Sequence, residues 1–143
     1  MSQQPTTIKD CMRRNPFTIH QDANLVQAIE TIVEYKLTGI TVTDDTGQPV
    51  GVLSELDCLD AILTAIYNVG DAEHALVSEA MTTDLNVCSP GDSIVEVAQA
   101  MLSSRQRRRP VIDGGKLVGQ VSSSNILWAL MEHSRRKVHP KGG

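Results

Sequence analysis

Aromatic residues and long apolar runs are scarce in this chain. Among 143 residues there are one Phe, two Tyr and one Trp, so the hydrophobic core must be built from aliphatic side chains. No apolar run approaches the roughly 20 residues that a membrane-spanning helix needs, and no signal-peptide pattern opens the sequence. We therefore expect a cytoplasmic globular protein that has no membrane partner.

Cysteine and histidine are few, and their spacing excludes the usual metal and disulfide patterns. Cys11, Cys58 and Cys88 are odd in number, lie far apart and form no C-x-x-C pair. We predict reduced thiols. The histidines also lack ligand spacing, which predicts no metal site; they are His20, His74, His133 and His139.

Catalytic signatures are missing as well. The sequence shows no nucleophile–base set and no glycine-rich phosphate loop, so we do not expect an enzyme and assign no catalytic residue. Cys58 follows Asp57, but no histidine accompanies it, and a buried apolar role is the better prediction. The net charge of −4 gives no reason to expect a nucleic-acid partner.

Two related motifs stand out from this background. Val50–Asp57 reads VGVLSELD and Val118–Asn125 reads VGQVSSSN, and an apolar helical pattern follows each. Each predicts a strand that ends at Ser and turns into a helix, where backbone N–H groups and the helix dipole favour an anion such as phosphate. Taken alone, Ser54 and Asp57 are better explained as a helix-capping box. We call these segments the first and second junction motifs.

The motifs belong to a longer internal repeat. Residues 8–12 match residues 77–81 at a displacement of 69, and the displacement falls to 68 after turns at 44–47 and 113–115. Each half predicts strand, helix, strand, turn, strand, helix. Asp22 or Asn24 and Asp92 or Ser93 are predicted to cap the first helix of each half.

The repeat predicts an α/β fold of the α+β type with two β-α-β-β-α repeats. We predict a first repeat at 7–70, a second at 71–133, and a flexible basic tail at 134–143. Neither half is large enough to bury a good core alone, so the halves should pack with approximate two-fold symmetry. The expected binding cleft lies where the two junction motifs approach.

The order, spacing and duplication of these segments resemble a tandem pair of CBS domains, often called a Bateman module. The resemblance covers roughly residues 7–67 and 76–133. It implies an adenosine ligand (AMP, ADP, ATP or S-adenosylmethionine) that controls an enzyme, transporter or channel. It also implies a homodimer formed through the helices.

The resemblance also implies which residues bind. Asp57 would hold the ribose hydroxyls and Ser54 would contact phosphate, with Asn125 and Ser122 in the same places of the second motif. In the family, basic residues just before the second strand of a repeat would bind phosphate. The residues at this position complete the expected nucleotide-binding set, and they are Thr38, Gly39 and Ile40 in the first half and Arg107 and Arg108 in the second.

The two halves depart from the family pattern in different ways. Asn125 replaces an aspartate, so only its carbonyl oxygen can accept from a ribose hydroxyl. Arg107 and Arg108 carry charge where the first half has Thr38 and Gly39, although a run of charges is often just a solvated face. Arg109 occupies a position that is usually apolar.

We therefore expect a regulatory module that binds an adenosine nucleotide between its repeats and signals to a partner in trans. A ligand-independent dimerisation or interaction module is the alternative.

Overall fold

The computed structural model describes residues 6–67 and 72–138. The elements in chain order are a 3-10 turn (Ile8–Asp10), β1 (Arg13–Arg14), β2 (Thr18–His20), α1 (Leu25–Glu34), β3 (Gly39–Thr43), β4 (Pro49–Ser54), α2 (Glu55–Tyr67), a 3-10 turn (Ala72–His74), α3 (Val77–Ala80), α4 (Ile94–Ser104), β5 (Arg108–Asp113), β6 (Lys116–Ser122) and α5 (Ser123–Val138).

Two compact units make up the chain, and they cross the sequence repeats. The first unit is Pro16–Leu85, and the second unit joins Met1–Asn15 to Asn86–Gly143. The segment that opens each repeat therefore packs with the body of the other repeat. Val77 is fully buried in the core of the first unit, and Ile8 is fully buried in that of the second.

The first unit is built on the sheet β2–β3–β4. The central strand β3 has the sequence GITVT and is buried along most of its length, as expected for a strand rich in β-branched residues. It runs parallel to β2 and antiparallel to β4. The helices cover one face, and the core is aliphatic apart from Cys58; its members are Leu25, Ala28, Ile32, Ile40, Val42, Leu53, Cys58 and Val77.

The second unit is built on the sheet β1–β6–β5, in which β6 is antiparallel to both neighbours. The counterpart of β2 in the second repeat is reduced to one parallel bridge between Cys88 and Val111. Pro90 has no N–H group, so it cannot extend the ladder. The α+β class and the tandem repeat are confirmed, with this strand shortened.

Helices α1 and α4 begin at the predicted caps, whereas α5 extends into the segment that was predicted to be a flexible tail. Asn24 accepts a hydrogen bond from the N–H of Val26, and Ser93 accepts one from Glu96. Because Pro140 is the first helix breaker in the tail, α5 continues to Val138, through part of the segment predicted to be flexible.

The last residues of the predicted first repeat and the end of the predicted tail fall in residues 68–71 and 139–143, which lie outside the described residues. Within the described ranges, no helix is long and apolar enough to cross a membrane.

Candidate functional site

The first junction motif forms the turn from β4 into α2. The Asp57 N–H donates to Ser54 Oγ at 3.0 Å, and the Ser54 N–H donates to Asp57 Oδ2 at 3.0 Å. This is a reciprocal capping box, so the ordinary explanation of the motif is correct as far as the fold is concerned. Such caps stabilise a helix by about 1 kcal/mol.

The second junction motif has the same geometry with an amide in place of the carboxylate. The Asn125 N–H donates to Ser122 Oγ at 3.1 Å, and the Ser122 N–H donates to Asn125 Oδ1 at 3.0 Å. The amide oxygen caps the helix as the carboxylate does, but it brings no negative charge. The two junctions thus share a geometry and differ in charge.

Asp57 has a further partner that the sequence analysis missed. The Thr82 hydroxyl donates to the carboxylate, 3.2 Å from Oδ2 and 3.3 Å from Oδ1. The Thr82 backbone is held by two hydrogen bonds of 2.9 Å to Val52. A carboxylate offers about four acceptor positions, so these contacts leave Oδ1 able to accept from a ligand.

The predicted neighbours of Ser54 do lie beside it. The Thr38 carbonyl accepts the Glu55 N–H at 3.1 Å, and Gly39 pairs directly with Ser54. Ile40 differs, because the residue is only 1% exposed and belongs to the core. Since this figure covers the whole residue, neither the side chain nor the backbone of Ile40 is exposed for contact with a ligand.

The corresponding residues of the second unit also lie together. The Arg107 carbonyl accepts the Ser123 N–H at 2.7 Å, and Arg108 pairs directly with Ser122. Arg107 is exposed and Arg108 is half-buried. The predicted site residues therefore form two groups, one at the junction of each unit.

Arg109 lies on the core side of its sheet. It pairs with Val121, which is fully buried, and its Nη2 donates to Ser104 Oγ at 3.5 Å. Its Nε is buried without a hydrogen-bond partner. The alkyl stem thus fills the place of an apolar residue while the guanidinium reaches towards α4, as long cationic side chains commonly do.

Each unit also has a cavity along the helix that follows its junction. The cavity of the first unit has a volume of about 380 Å³ and that of the second about 320 Å³. Asp57, Asp60 and Glu79 line the former, and Asp10 and Glu132 line the latter. These carboxylates disfavour a phosphate group in both cavities.

The cysteines are buried or half-buried thiols without disulfide partners. Burial raises the pKa of Cys58, and the charges of Asp57 and Glu55 raise it further. Burial likewise raises the pKa of Cys88 to about 11, with Asp92 adding to the effect and Arg109 opposing it. The predicted apolar role of Cys58 is confirmed by its burial.

One histidine cluster escaped the sequence analysis, which saw no ligand spacing. His20, Asp22 and Asp45 place ligand-type atoms within 4.8 Å of one another. The Asp22 N–H donates to His20 Nδ1 at 3.0 Å, so Nε2 carries the proton and donates to Asp45 Oδ1 at 2.6 Å. Both ring nitrogens of His20 are therefore engaged in hydrogen bonds within this cluster.

Comparison with known proteins matches both repeats. The sequence profile of the CBS domain matches residues 8–64 and 77–132. The crystal structure of CBSX2 from Arabidopsis thaliana in complex with AMP is 28% identical, has a TM-score of 0.77, and is covered over 92% of this chain and 100% of that one. The CBS domain pair of protein MJ0100, at 21% identity and a TM-score of 0.77, shares the fold.

Curated relatives are longer than this chain. MJ1225 from Methanocaldococcus jannaschii is 28% identical over 120 residues, which are 84% of this chain and 41% of that protein. The chloroplastic CBSX2 sequence is 27% identical over 155 residues, covering 90% of this chain and 65% of CBSX2. The profile matches fall on the two repeats and carry both junction motifs. The chain belongs to the CBS domain family and contains a tandem pair of these domains.

Proposed function

We propose that this chain is a regulatory module that binds an adenosine nucleotide at its junction motifs and signals to a partner protein in trans. The observation that carries the proposal is the geometry of Asp57, whose carboxylate is fixed at the start of α2 and keeps an acceptor position on Oδ1. The AMP complex of CBSX2 supports an adenosine ligand. AMP is our first candidate, ahead of ADP, ATP and S-adenosylmethionine.

The proposed contacts follow from the chemistry of each group. A carboxylate can accept from both cis hydroxyls of a ribose in charge-assisted hydrogen bonds, so Asp57 binds the sugar. Ser54 and the backbone of Thr38 and Gly39 lie within the same junction. In the second unit, the guanidinium groups of Arg107 and Arg108 bind phosphate, and the junction polar groups Ser122 and Asn125 complete the set.

Regulation requires that the ligand distinguish two states of the module. A ligand with equal affinity for both states shifts no equilibrium, however tightly it binds. The partner protein must therefore bind one state better than the other. We propose that the module regulates and does not catalyse, and that it takes neither nucleic acid nor a membrane as partner. A cytoplasmic location agrees with its three free thiols.

Titration calorimetry with AMP, ADP, ATP and S-adenosylmethionine tests the ligand. We expect at least one dissociation constant below about 1 mM. Asp57→Ala should weaken that binding at least tenfold, which is about 1.4 kcal/mol, because the ribose loses its charged acceptor. Asp60→Ala is the matched control, since it removes the same charge one turn along α2 without touching the cap.

Two results would count against this assignment. If none of the four ligands binds below about 1 mM, the sensor function is wrong. If Asp57→Ala keeps its fold by circular dichroism and binds with wild-type affinity, the ribose contact belongs to the second junction motif instead.

The alternative function is a dimerisation module that works without ligand. Two helices carry large apolar side chains exposed on the surface: Leu56, Leu59, Leu63 and Ile66 on α2, and Leu127, Trp128, Leu130 and Met131 on α5. Contiguous exposed apolar side chains of this kind mark interaction surfaces. They support a homodimer through the helices, and dimers that persist without ligand and after Asp57→Ala would favour this alternative over sensing.

A further inference from the structure

The two units carry opposite charge. The first unit holds twelve acidic side chains and one basic one, and the second unit holds five acidic and twelve basic ones. With histidine neutral, their net charges are −11 and +7, which together give the −4 of the whole chain. Lys9, Arg13 and Arg14 sharpen this contrast, because they belong to the first repeat in sequence but to the second unit in space. Since opposite charges attract, the acidic unit of one copy of the chain suits the basic unit of another copy.

The helix that exposes an apolar face in each unit repeats the contrast. α2 has three acidic residues and no basic one, and all three lie in its first half, at Glu55, Asp57 and Asp60. α5 has three basic residues and one acidic one, and the basic residues occupy positions 135–137 near its end. Each helix therefore combines exposed leucines with a charged segment towards one end.

Contact between two like helices would join the apolar faces but oppose the charges. Two copies of α2 would place six acidic residues and no basic one at the same interface. Two copies of α5 would place six basic residues there with two acidic ones. Like charges at an interface disfavour association, whereas opposite charges favour it and fix the register. A contact of α2 with α5 buries both apolar faces and matches three acidic residues with three basic ones.

The position of the charges along each helix also determines its direction in this contact. The acidic segment opens α2 and the basic segment closes α5, so the two segments lie alongside each other when the helices are antiparallel. An antiparallel pair also places opposite ends of the two helix dipoles together. Alignment of position 57 with position 136 puts Leu63 opposite Leu130 and Ile66 opposite Leu127. All four side chains are exposed, so one alignment satisfies the charges and the apolar faces.

We propose that copies of this chain associate by packing α2 of one copy antiparallel against α5 of another. The partner of each exposed apolar face is then the oppositely charged helix of a second copy. This contact specifies which surfaces meet in the homodimer. It needs no adenosine ligand, so it holds whether or not the module senses a nucleotide.

Disulfide crosslinking between two different variants tests the contact. Ile66→Cys, on α2, is mixed without nucleotide with Leu127→Cys, on α5, and one of the two proteins carries an affinity tag. The tag gives the mixed pair its own mass on a non-reducing gel. With oxidised glutathione as the oxidant, each crosslink formed releases two molecules of reduced glutathione. We expect the mixed product to exceed either self-linked product at least fivefold.

Two controls belong to this experiment. Leu56→Cys replaces Ile66→Cys in the first, because position 56 lies about 15 Å from position 66 along α2; its yield with Leu127→Cys should be at least fivefold lower. Wild type, oxidised in the same way, measures the background from the native thiols. The contact is wrong if the self-linked products dominate, if Leu56→Cys links as well as Ile66→Cys, or if no pair rises above that background.

Reversal of a single charge tests the electrostatic part of the contact. Asp60→Lys changes the charge of α2, and Asp22→Lys makes the same change in the loop before α1; both side chains are exposed. We expect Asp60→Lys to raise the Kd of the dimer at least tenfold and Asp22→Lys less than twofold, measured by analytical ultracentrifugation. Circular dichroism should show an unchanged fold in both. Equal effects would overturn the charge pairing, because net charge alone would then explain them.

Ionic strength gives a second measurement that needs no substitution. Salt screens opposite charges, so the Kd of the wild-type dimer should rise several-fold between about 0.05 M and about 0.5 M salt. A Kd that falls with salt would show that like charges meet. Nucleotide titration of the same samples separates this contact from sensing: AMP binding without the crosslink leaves only the proposed function standing, and the crosslink without nucleotide binding leaves only the contact.

Discussion

At the scale of single residues, Asp57 and Asn125 occupy the same place in two capping boxes, yet only Asp57 carries a charge. Each accepts the backbone N–H of the serine three residues before it, Ser54 or Ser122, at 3.0 Å. Either residue therefore satisfies the capping box, so helix capping does not explain why the two motifs differ at this position. Asp57 adds a negative charge at the start of α2, whereas Asn125 adds none at the start of α5.

Gly51 illustrates a close approach on which the first junction depends. A Cβ atom at this position would lie 2.7 Å from the Thr82 carbonyl oxygen, which is already held by the Val52 N–H. We expect Gly51→Ala to lower the free energy of unfolding by about 1–3 kcal/mol, because the backbone must shift to admit the methyl group. Urea denaturation measures the change.

The control for this change is Gly91→Ala. A Cβ at Gly91 meets nothing within 4 Å, so the loss should stay below about 0.5 kcal/mol. Equal losses in the two variants would show that the contact with Thr82 is unimportant.

Asp10 makes the stability of the second unit depend on acid pH. Its carboxylate accepts the N–H groups of Thr6 and Thr7 and the Thr7 hydroxyl, and these hydrogen bonds, that from Thr6 foremost, lower the pKa of Asp10 below 3.8. A carboxyl whose pKa is lowered by folding stabilises the fold above its unfolded pKa. That contribution is lost as the pH falls through the folded pKa.

We therefore expect Asp10→Asn to lower the free energy of unfolding by about 0.5–1 kcal/mol at pH 7 and to match wild type well below pH 3.8. Denaturation at a series of pH values measures the difference. Asp113→Asn, at the exposed end of β5, is the control. A difference that does not narrow in acid would contradict the assignment.

At the scale of elements, the two units pair their strands in the same way but carry different side chains on them. The bridge from Val52 to Thr82 corresponds to the pairing of β1 with β6, and the bridge from Cys88 to Val111 corresponds to the pairing of β2 with β3. Both units therefore use one plan, and their differences lie in side chains and not in topology. Each unit also has one helix with an exposed apolar face, α2 in the first unit and α5 in the second.

The apolar face of α2 predicts how the protein associates. Leu59 and Leu63 lie one turn apart and are 56% and 45% exposed. We expect the double substitution Leu59→Lys and Leu63→Lys to convert dimers into monomers, because the charges would have to be buried in the interface. Light scattering coupled to size-exclusion chromatography measures the molecular mass.

Leu102→Lys supplies the control for association, since Leu102 is an exposed leucine on α4. It should leave the dimer intact. A monomeric wild type, or dissociation by Leu102→Lys as well, would rule out α2 as the interface.

At the scale of the whole molecule, ligand binding and stability are linked. A ligand that binds only the folded state stabilises it by about 2.7 kcal/mol at 100 times its dissociation constant. For a chain of 143 residues this corresponds to a rise in Tm of very roughly 5–15 °C. We expect AMP to produce such a rise in wild type, measured by scanning calorimetry.

The same concentration of AMP should raise the Tm of Asp57→Ala much less, and that of Asp60→Ala as much as in wild type. A shift of equal size in Asp57→Ala would place the main binding energy elsewhere. Absence of any shift in wild type, with AMP at several millimolar, would argue against AMP as the ligand.

Local patterns in the sequence determined the element order, the duplication, the caps at Asn24 and Ser93, and the two junction motifs. These features depend on residues close together in the chain, where periodicity and capping chemistry act. The resemblance to the CBS family brought Thr38, Gly39, Arg107 and Arg108 into consideration. Neither the patterns nor the resemblance could show that the side chain of Ile40 is buried.

Only the tertiary structure decided which distant segments meet. It joined residues 8–14 to the second unit, brought Thr82 to Asp57, gathered His20, Asp22 and Asp45, and paired Arg13 with Gln120. The physical reason is strand register, since a slip of one residue turns every side chain to the opposite face. Register between strands more than 90 residues apart is set by packing in three dimensions and leaves no local signal.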